Sequence, residues 1–476
     1  MKIALAGYNI DTSLTDQIPD GSIVTPETIS AAYARISRSS KSVTELREEA
    51  KSEVENARKS NENIIFDMGH GSIAEHAVFN FDIIGISRYL TEIIQKTRFA
   101  SFTEKSQRYV TLKGDFVVPE EIKNTAAEKD YRDLIERMNN LYRDLYEAGI
   151  KFLEKENFSE SKKLIRGKAK EDARYFLPLA TETQMGMTVN ARSLERLLRR
   201  LDKTGLKEAD ELRENLLKHA KEAAPSVIRY TKADDFEKFI PELPRYKTIN
   251  KREDIKFVKT EEYADEKVIA SLIFEHSNCE WDEIFESVKK LEKQSKISFL
   301  MEYFKRMEPF NTVPRAFEVC DFAFEALMSS SCFAQLKRHR PATVITQKYS
   351  PESGVVIPEL IKKLKMNDRI EIILKKSENL FYELEKIKKG LGSYVLCNGH
   401  KVNVLFKANL REFYHFSRLR SDKHAQWEIR EISLKIDEKF KEFAPLTSLF
   451  MMGKDKFAEV KKNGIRNYTR SRFIKR

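Results

Sequence analysis

Cysteine is scarce in this chain, and it follows no pattern. The four present, Cys279, Cys320, Cys332 and Cys397, form no CxxC pair and keep no regular spacing, which argues against a disulfide framework and against a cysteine-built metal site. No metal is expected. With 16 glycines and 13 prolines in 476 residues, there is little material for long disordered or loop-dominated stretches. Long apolar runs are also missing: nothing approaches the roughly 20 apolar residues needed to span a bilayer. The opening MKIALAGYN has one short apolar run without a small-residue cleavage pattern. These absences lead us to expect a reducing, cytoplasmic setting and no membrane partner.

What is present describes a folded, helix-rich protein, with 41% hydrophobic and 33% charged residues. Its length exceeds what one hydrophobic core usually supports, so two or more domains are expected. A net charge of +11 and a pI near 9.1 favour anionic partners. Nucleotides and phosphate-bearing cofactors suit this charge. Nucleic acid is the less favoured partner, because the basic residues are spread along helices. The one basic run, KKNGIRNYTRSRFIKR, reads as a solvated tail.

Along the chain, MKIALAGYN reads as a strand ending near Gly7, and Pro26-Glu27 opens a helical region running to about Asn61. Gly69-His70-Gly71 makes a turn before AVFNFDI, whose alternation predicts a half-buried strand. Helical periodicity returns from Tyr131 to Lys155. RYFLPLATETQMGMTV reads as two short strands, with Pro178 limiting the first. Asn190 is placed to cap the helix NARSLERLLRRLD. Near Leu243-Pro244 the order begins again. A helix (ADEKVIASLIFE), a strand-then-helix run through CDFAFEALMSSSCFAQLKRHR, and a charged helix from Asp368 to about Lys389 are followed by a strand pair in GSYVLCNGHKVNVLFKAN. One helix is then expected through NLREFYHFSRLRSDKHAQWEIREISLKI. The halves read as two versions of one plan, residues 1–245 and 246–476, and the fold class expected is α+β, each repeat a small mixed sheet with long helices.

The stretch richest in chemistry is Gln335-Leu336-Lys337-Arg338-His339-Arg340. Two arginines can each present a planar fork of donors to a phosphate or an anionic ring, and the histidine between them titrates near neutrality. Alone, it also reads as a basic helix end facing exposed carbonyls. Together with NLREFYHFSRLRSDKHAQWEIR, and with EHAVFNF, RFASFTEKSQRYV, ARYFLP and NARSL in the first half, it resembles the flavin-dependent thymidylate synthase family, also called thymidylate synthase complementing proteins, in a tandem and diverged form.

The family signature runs RHR, two residues, Ser, one residue, Asn-Glu, one residue, Ser, one residue, Arg-Tyr. In the first repeat Arg98, Ser101, Glu104, Ser106, Arg108 and Tyr109 match, while the leading Arg-His has become Lys96-Thr97. The second repeat keeps Arg338, His339 and Arg340, with Gln335 at a nucleotide-contact position. It loses the acidic and second serine positions, and Thr343 replaces the first serine. Arg174, sixteen positions before Asn190, matches an arginine the family uses on nucleotide phosphate, whereas Ser393 stands at that distance from Asn409. Asn409, Arg411, Arg420, His424 and Gln426 all fit the pattern in the second repeat.

The resemblance implies an enzyme that transfers a methylene from methylenetetrahydrofolate to C5 of deoxyuridylate (dUMP). Reduced FAD then supplies a hydride, and NADPH commonly reduces the flavin. The residues assigned by this resemblance are Arg420 and Ser106 for catalysis. Arg338, His339, Arg340, Asn409, Arg411, His424, His76 and Arg98 are assigned to the flavin, and Gln335, Glu104, Ser106, Arg108, Arg174 and Arg420 to the nucleotide. Each repeat holds what the other lacks, so a site composed of both is the expectation. On one continuous helix Arg411 and His415 would share a face, with Arg420 and His424 near the opposite one. A homo-oligomer, most simply a dimer, is expected. The alternatives are a flavoenzyme modifying another pyrimidine, free or within nucleic acid, and a non-catalytic flavin or nucleotide binder.

Overall fold

In a computed structural model of the chain, residues 1–15, 23–110, 112, 114–156, 161–240 and 255–462 are described. The expected boundary at Leu243-Pro244 and most of the basic C-terminal run lie outside them. The first repeat opens with strand β1 (Lys2–Tyr8). Where one long helical region was expected there are three helices, α1 (Glu27–Arg35), α2 (Val43–Ser52) and α3 (Val54–Glu62). Ser42 forces the break by capping α2 in a reciprocal box with Glu45. Strand β2 (Val78–Ser87) realises the AVFNFDI alternation: Phe79, Phe81 and Ile83 are buried while Asn80 and Asp82 are exposed. Helix α4 (Arg88–Ile94), β3 (Ala100–Glu104), the long α5 (Ala126–Glu156), α6 (Lys162–Ala173), β4 (Glu182–Asn190), α7 (Ala191–Thr204), α8 (Lys207–Ala223) and the single turn α9 (Asp235–Lys238) follow. Asn190 caps α7 as expected, its Oδ1 2.8 Å from the Ser193 amide.

The second repeat runs β5 (Ile255–Lys259), α10 (Ala264–Phe274), α11 (Trp281–Lys290), α12 (Lys293–Arg306), β6 (Asp321–Ser329), α13 (Ser330–Leu336), β7 (Thr343–Thr346), α14 (Glu359–Lys363), α15 (Asn367–Ile387), β8 (Lys401–Asn409), α16 (Leu410–Arg420) and α17 (Trp427–Phe443). The helix expected from Asn409 onward is therefore two helices. Gln426 caps the second by accepting from the Ile429 amide at 3.1 Å, so residues 421–426 form a turn. The two sheets share one strand order, β1-β2-β4-β3 and β5-β6-β8-β7. This is a tandem α+β repeat, as expected. Among the described residues every strand pairing is antiparallel, where a mixed sheet was anticipated. A bulge in β2 between Ile84 and Ile86 needs Gly85, whose φ of +79° is costly for any residue with a Cβ. Among the described residues no helix is long and apolar enough to cross a membrane.

The compact units do not follow the linear halves. Unit 1 comprises Met1–Tyr246 together with Ile357–Gly399, and unit 2 comprises Lys247–Val356 with His400–Arg476. Unit 1 thus takes α14 and α15 from the second repeat, and α15 packs along α5. Segments expected to be strands, ARYFLP and GSYVLC, are short 3-10 turns (Arg174–Phe176 and Leu391–Val395) that lead into a reciprocal pairing with each other. Leu179 N donates to Leu396 O at 2.7 Å and Asn398 N to Leu177 O at 2.9 Å. Ala180 N donates to Tyr394 O at 3.0 Å and Gly399 N to Tyr175 O at 2.7 Å, around a bridge between Pro178 and Cys397. Gly392 permits the approach of α15, since a Cβ there would lie 2.5 Å from the Phe381 ring.

Each unit carries the same buried anchor. In unit 1 Ser87 begins α4, and its amide and hydroxyl reach Glu208 of α8 at 2.6 and 2.8 Å. In unit 2 the amide of Ser329, which begins α13, reaches Glu428 of α17 at 2.8 Å, and the Ser329 hydroxyl donates to the same carboxylate. Satisfying both carboxylate oxygens lets an acid sit in a core. Around the second anchor Phe322, Phe324, Phe406, Phe413 and Phe440 form an aromatic core, with Phe322 and Phe440 centroids 4.6 Å apart.

Candidate functional site

In unit 1 the sequence brings arginines and carboxylates together from four elements. Glu104 ends β3 and accepts from Gln95 Nε2 at 2.9 Å, with Arg88 Nε of α4 at 3.7 Å. The next turn carries Ser106, whose Oγ accepts from the Arg108 amide at 3.2 Å, so its hydroxyl shapes the loop. Arg108 Nε meets Glu171 of α6 at 2.6 Å. Arg174, just beyond α6 and only 4% exposed, donates from Nε to the Glu171 carbonyl at 3.3 Å. Burial lowers its affinity for its proton, Glu171 and Tyr175 act the other way, and Arg108 and Arg88 add further cationic pressure. Its Nη2 is buried and has no hydrogen-bond partner among the described residues. A charged donor buried without an acceptor is costly, and an anionic ligand would satisfy it. Of the residues expected on the nucleotide, Glu104, Ser106, Arg108 and Arg174 lie in unit 1, where Glu171 links Arg108 to Arg174 and Arg88 meets Glu104, while Gln335 and Arg420 lie in unit 2.

Two residues that sequence reasoning missed complete this cluster. Asn398 Nδ2 donates to the Arg174 carbonyl at 3.0 Å and to Gln107 Oε1 at 2.9 Å. The carbonyl can only accept, so this contact fixes the Asn398 amide, and the Asn398 donor in turn fixes Gln107. The remaining expectations in unit 1 lie at the surface: Arg98 is exposed in the bend before β3, and the exposed His76 meets the Tyr33 ring edge-on at 4.8 Å.

In unit 2 the arginine-histidine-arginine stretch forms the turn after α13. Arg338 is exposed and Arg340 half-buried, while His339 is 2% exposed. Arg420 Nε donates to His339 Nε2 at 3.1 Å, so the imidazole proton sits on Nδ1 and is donated to Glu412 Oε1 at 2.8 Å. Arg420 Nη1 lies 3.4 Å from Gln335 Oε1. Burial holds the imidazole well below its ordinary value, with Arg420 and His415 adding to the shift, so the ring is neutral and both nitrogens are engaged within the protein. The ligand atoms of His339, Glu412 and His415 lie within 4.8 Å of one another. Because Arg420 claims the one free lone pair of His339, the arrangement works as a chain that orients Arg420 and not as a metal cage.

Beside this chain lies a cavity of about 440 Å³. Asn409, Arg411, His415 and Arg418 stand on its polar wall together with the carboxylates Glu318 and Glu412, and Phe450 and Phe457 are among its apolar lining. Asn409 also caps α16, accepting from the Glu412 amide at 2.9 Å. Arg411 is steered by Glu318 at 2.9 Å and by the Val313 carbonyl at 2.9 Å. Arg411 and His415 share a helix face as expected. His424 does not belong to that helix: it is exposed in the turn after α16, where its amide donates to Asp422 Oδ1 at 2.9 Å. The SDKHAQ sequence carried the signal, since Ser and Asp favour local backbone hydrogen bonds over helix continuation.

Comparison with known proteins yields one consistent family. The family model described as thymidylate synthase complementing protein matches residues 22–226 and again 229–446. A UPF0159 protein of Thermoplasma acidophilum is 25% identical over 434 residues, spanning 80% of this chain and 86% of its own length. A flavin-dependent thymidylate synthase of Clostridium tetani is 33% identical over 210 residues, 43% of this chain but 82% of its own. Among solved structures, a UMP/dUMP methylase from Streptomyces cacaoi bound with 5-Br dUMP is 13% identical, covering 42% of this chain and 95% of that one, at a TM-score of 0.34.

Proposed function

The chain belongs to the thymidylate synthase complementing protein family, and from that premise we propose that it is a flavin-dependent methyltransferase of the thymidylate synthase type, converting dUMP to thymidylate. The observation that carries this reading is the unit 1 cluster, where Arg174 keeps a buried donor with no acceptor among the described residues, beside Glu171, Arg108 and Arg88. Such a cluster suits the phosphate of a nucleotide.

The residues in unit 2 fit a flavin. Apolar and aromatic walls would suit a heteroaromatic ring, and Arg411, Arg418 and Lys454 on the cavity wall would meet its phosphates. When bound, FAD would supply the hydride, with methylenetetrahydrofolate as one-carbon donor and NADPH as reductant. A methylene joined to C5 plus a hydride makes the methyl group, and the C5 proton leaves. The chain's own part is to bind and orient. Arg420, aimed by His339 and Gln335, would stabilise negative charge on the pyrimidine. The two sets of residues are proposed to serve one activity, in a homo-oligomer.

Release of tritium from C5-labelled dUMP, dependent on folate and reduced flavin, tests the reaction. Purified protein that carries no flavin absorbance and takes up no added FAD would rule it out. Glu104→Ala and Arg338→Ala are each expected to abolish the same activity, and survival of full activity in either separates the two sets.

A further inference from the structure

The reciprocal pairing in unit 1 is symmetric in its backbone and asymmetric in its side chains. Partner positions keep a constant offset: Tyr175 answers Tyr394, Leu177 answers Leu396, and the hydrogen bonds run equally in both directions. The side chains differ where they bear on chemistry. On one side stand Arg174 and Asn398, in direct contact at 3.0 Å. On the other, the corresponding positions hold Ser393 and Leu179.

The two sides are equally buried and unequally satisfied. Leu179 is fully buried, and Ser393 is hydrogen-bonded to the half-buried Tyr89, whose ring meets Tyr394 edge-on at 5.4 Å. That side is closed. On the Arg174 side, three mutually connected residues each keep one buried polar atom without a partner among the described residues: Arg174 Nη2, Gln107 Nε2 and Asn398 Oδ1. The amide orientations follow from the Arg174 carbonyl, so the first two are committed donors and the third a committed acceptor. Leaving all three unsatisfied in a folded core costs more than a few buried contacts return.

We infer that Asn398, contributed by the second repeat, completes a single nucleotide site in unit 1, and that the pseudo-symmetric counterpart of this site has been closed. Two donors and one acceptor match a nucleoside monophosphate: Arg174 and Gln107 donate to anionic oxygens, and Asn398 Oδ1 accepts from a hydroxyl or ring N–H of the same ligand. The inference rests on the proposed reading of the Arg174 cluster as a nucleotide site. It adds a residue that selects ligands bearing a donor as well as a phosphate, and it fixes the stoichiometry at one site per chain.

Calorimetric titration of the full-length chain with dUMP, and separately with inorganic phosphate and pyrophosphate, tests it. The expected result is one dUMP per chain, with affinity falling by at least about tenfold in Asn398→Leu, which copies Leu179, and in the near-isosteric Asn398→Asp. A melting curve on each variant separates binding from folding. If both variants melt lower but bind dUMP as the parent does, Asn398 is only structural and the inference fails while the proposed function stands. Two dUMP molecules per chain, one competed by phosphate at each side, overturns the single site. If the parent ignores dUMP yet binds phosphate or pyrophosphate, the dUMP reading and the ligand selection assigned to Asn398 both fall. A parent chain that binds none of the three overturns the site.

Discussion

The two repeats agree where they fold and differ where they bind. Ser87 with Glu208 and Ser329 with Glu428 are the same anchor built twice, each acid placed at the start of a helix to receive a serine amide and hydroxyl. Asn190 and Asn409 are the same helix cap built twice. Past these, the repeats part. Unit 1 keeps Glu104, Arg108 and Arg174 in an arginine-carboxylate cluster, and unit 2 keeps His339, Glu412, Arg420 and Gln335 in a hydrogen-bonded chain. Residues that hold backbone amides were retained in both copies because each fold needs its own. Residues that would hold ligand survive in one copy or the other, which is the pattern expected if the copies came to share one task.

That contrast can be broken from either side. The largest expected effect is at Arg420. Arg420→Lys keeps a charge but not the fork that meets His339 and Gln335, so kcat should fall by about 10²–10³ with flavin still bound. Steady-state kinetics with a flavin absorbance reading checks this, and a loss of flavin instead would assign Arg420 to the cofactor. Next is Arg174→Ala, for which dUMP affinity should fall about 100-fold, while Ser393→Ala, at the corresponding position of the other repeat, leaves it unchanged.

Acid stability sharpens the comparison further. Both units bury acids whose pKa burial raises: unit 1 holds Glu208 against the Ser87 amide and hydroxyl, and unit 2 holds Asp265 against the Leu446 and Thr447 amides and Asp437 against the Ser421 hydroxyl. Burial pushes Asp265 up to about 6 and Asp437 up to about 7 from the ordinary 3.8. The folded chain therefore holds more protons than the unfolded one between about pH 4 and 7. This contribution is fully present below about pH 4 and lost as pH rises to 7. Asp437→Asn should flatten the slope by about 2–4 kcal/mol across that window, read from denaturant melts at each pH. A slope unchanged in the variant would assign it elsewhere. Smallest are the caps: Asn190→Ala and Asn409→Ala should each cost about 1 kcal/mol. Only the latter, on the cavity wall, should also weaken flavin uptake.

Much of this was legible in the sequence, for identifiable reasons. Alternation in AVFNFDI, the cap at Asn190 and the recurrence of one element order depend on neighbours within a few residues. Helix continuity through SRLRSDKHAQWE was misjudged because periodicity persisted across a turn that Ser421, Asp422 and Gln426 impose. The grouping of Glu104, Ser106, Arg108 and Arg174 in unit 1 followed from the family motif. Glu171 and Glu412, which fix Arg108 and His339, lie outside that motif and are single acids among many. Asn398 was invisible because its meaning depends on which segment it lies against, and nothing local in GSYVLCNGH announces that it pairs with ARYFLPLA.

The assignment of Ile357–Gly399 to unit 1 also bears on how the chain is made. Translation runs from the N-terminus, so the groove that receives α15 and the edge that pairs with Tyr394–Gly399 emerge long before their occupants do. Unit 1 cannot close until residue 399 has left the ribosome, and all the unit 2 segment from 247 to 356 has by then been synthesised. For that interval Tyr131, Tyr175 and Leu179, fully buried in the finished fold, have no cover from the second repeat. A nascent chain in this state presents apolar surface to chaperones and to other nascent chains. A stop codon placed at the repeat boundary would leave the first repeat in that state permanently.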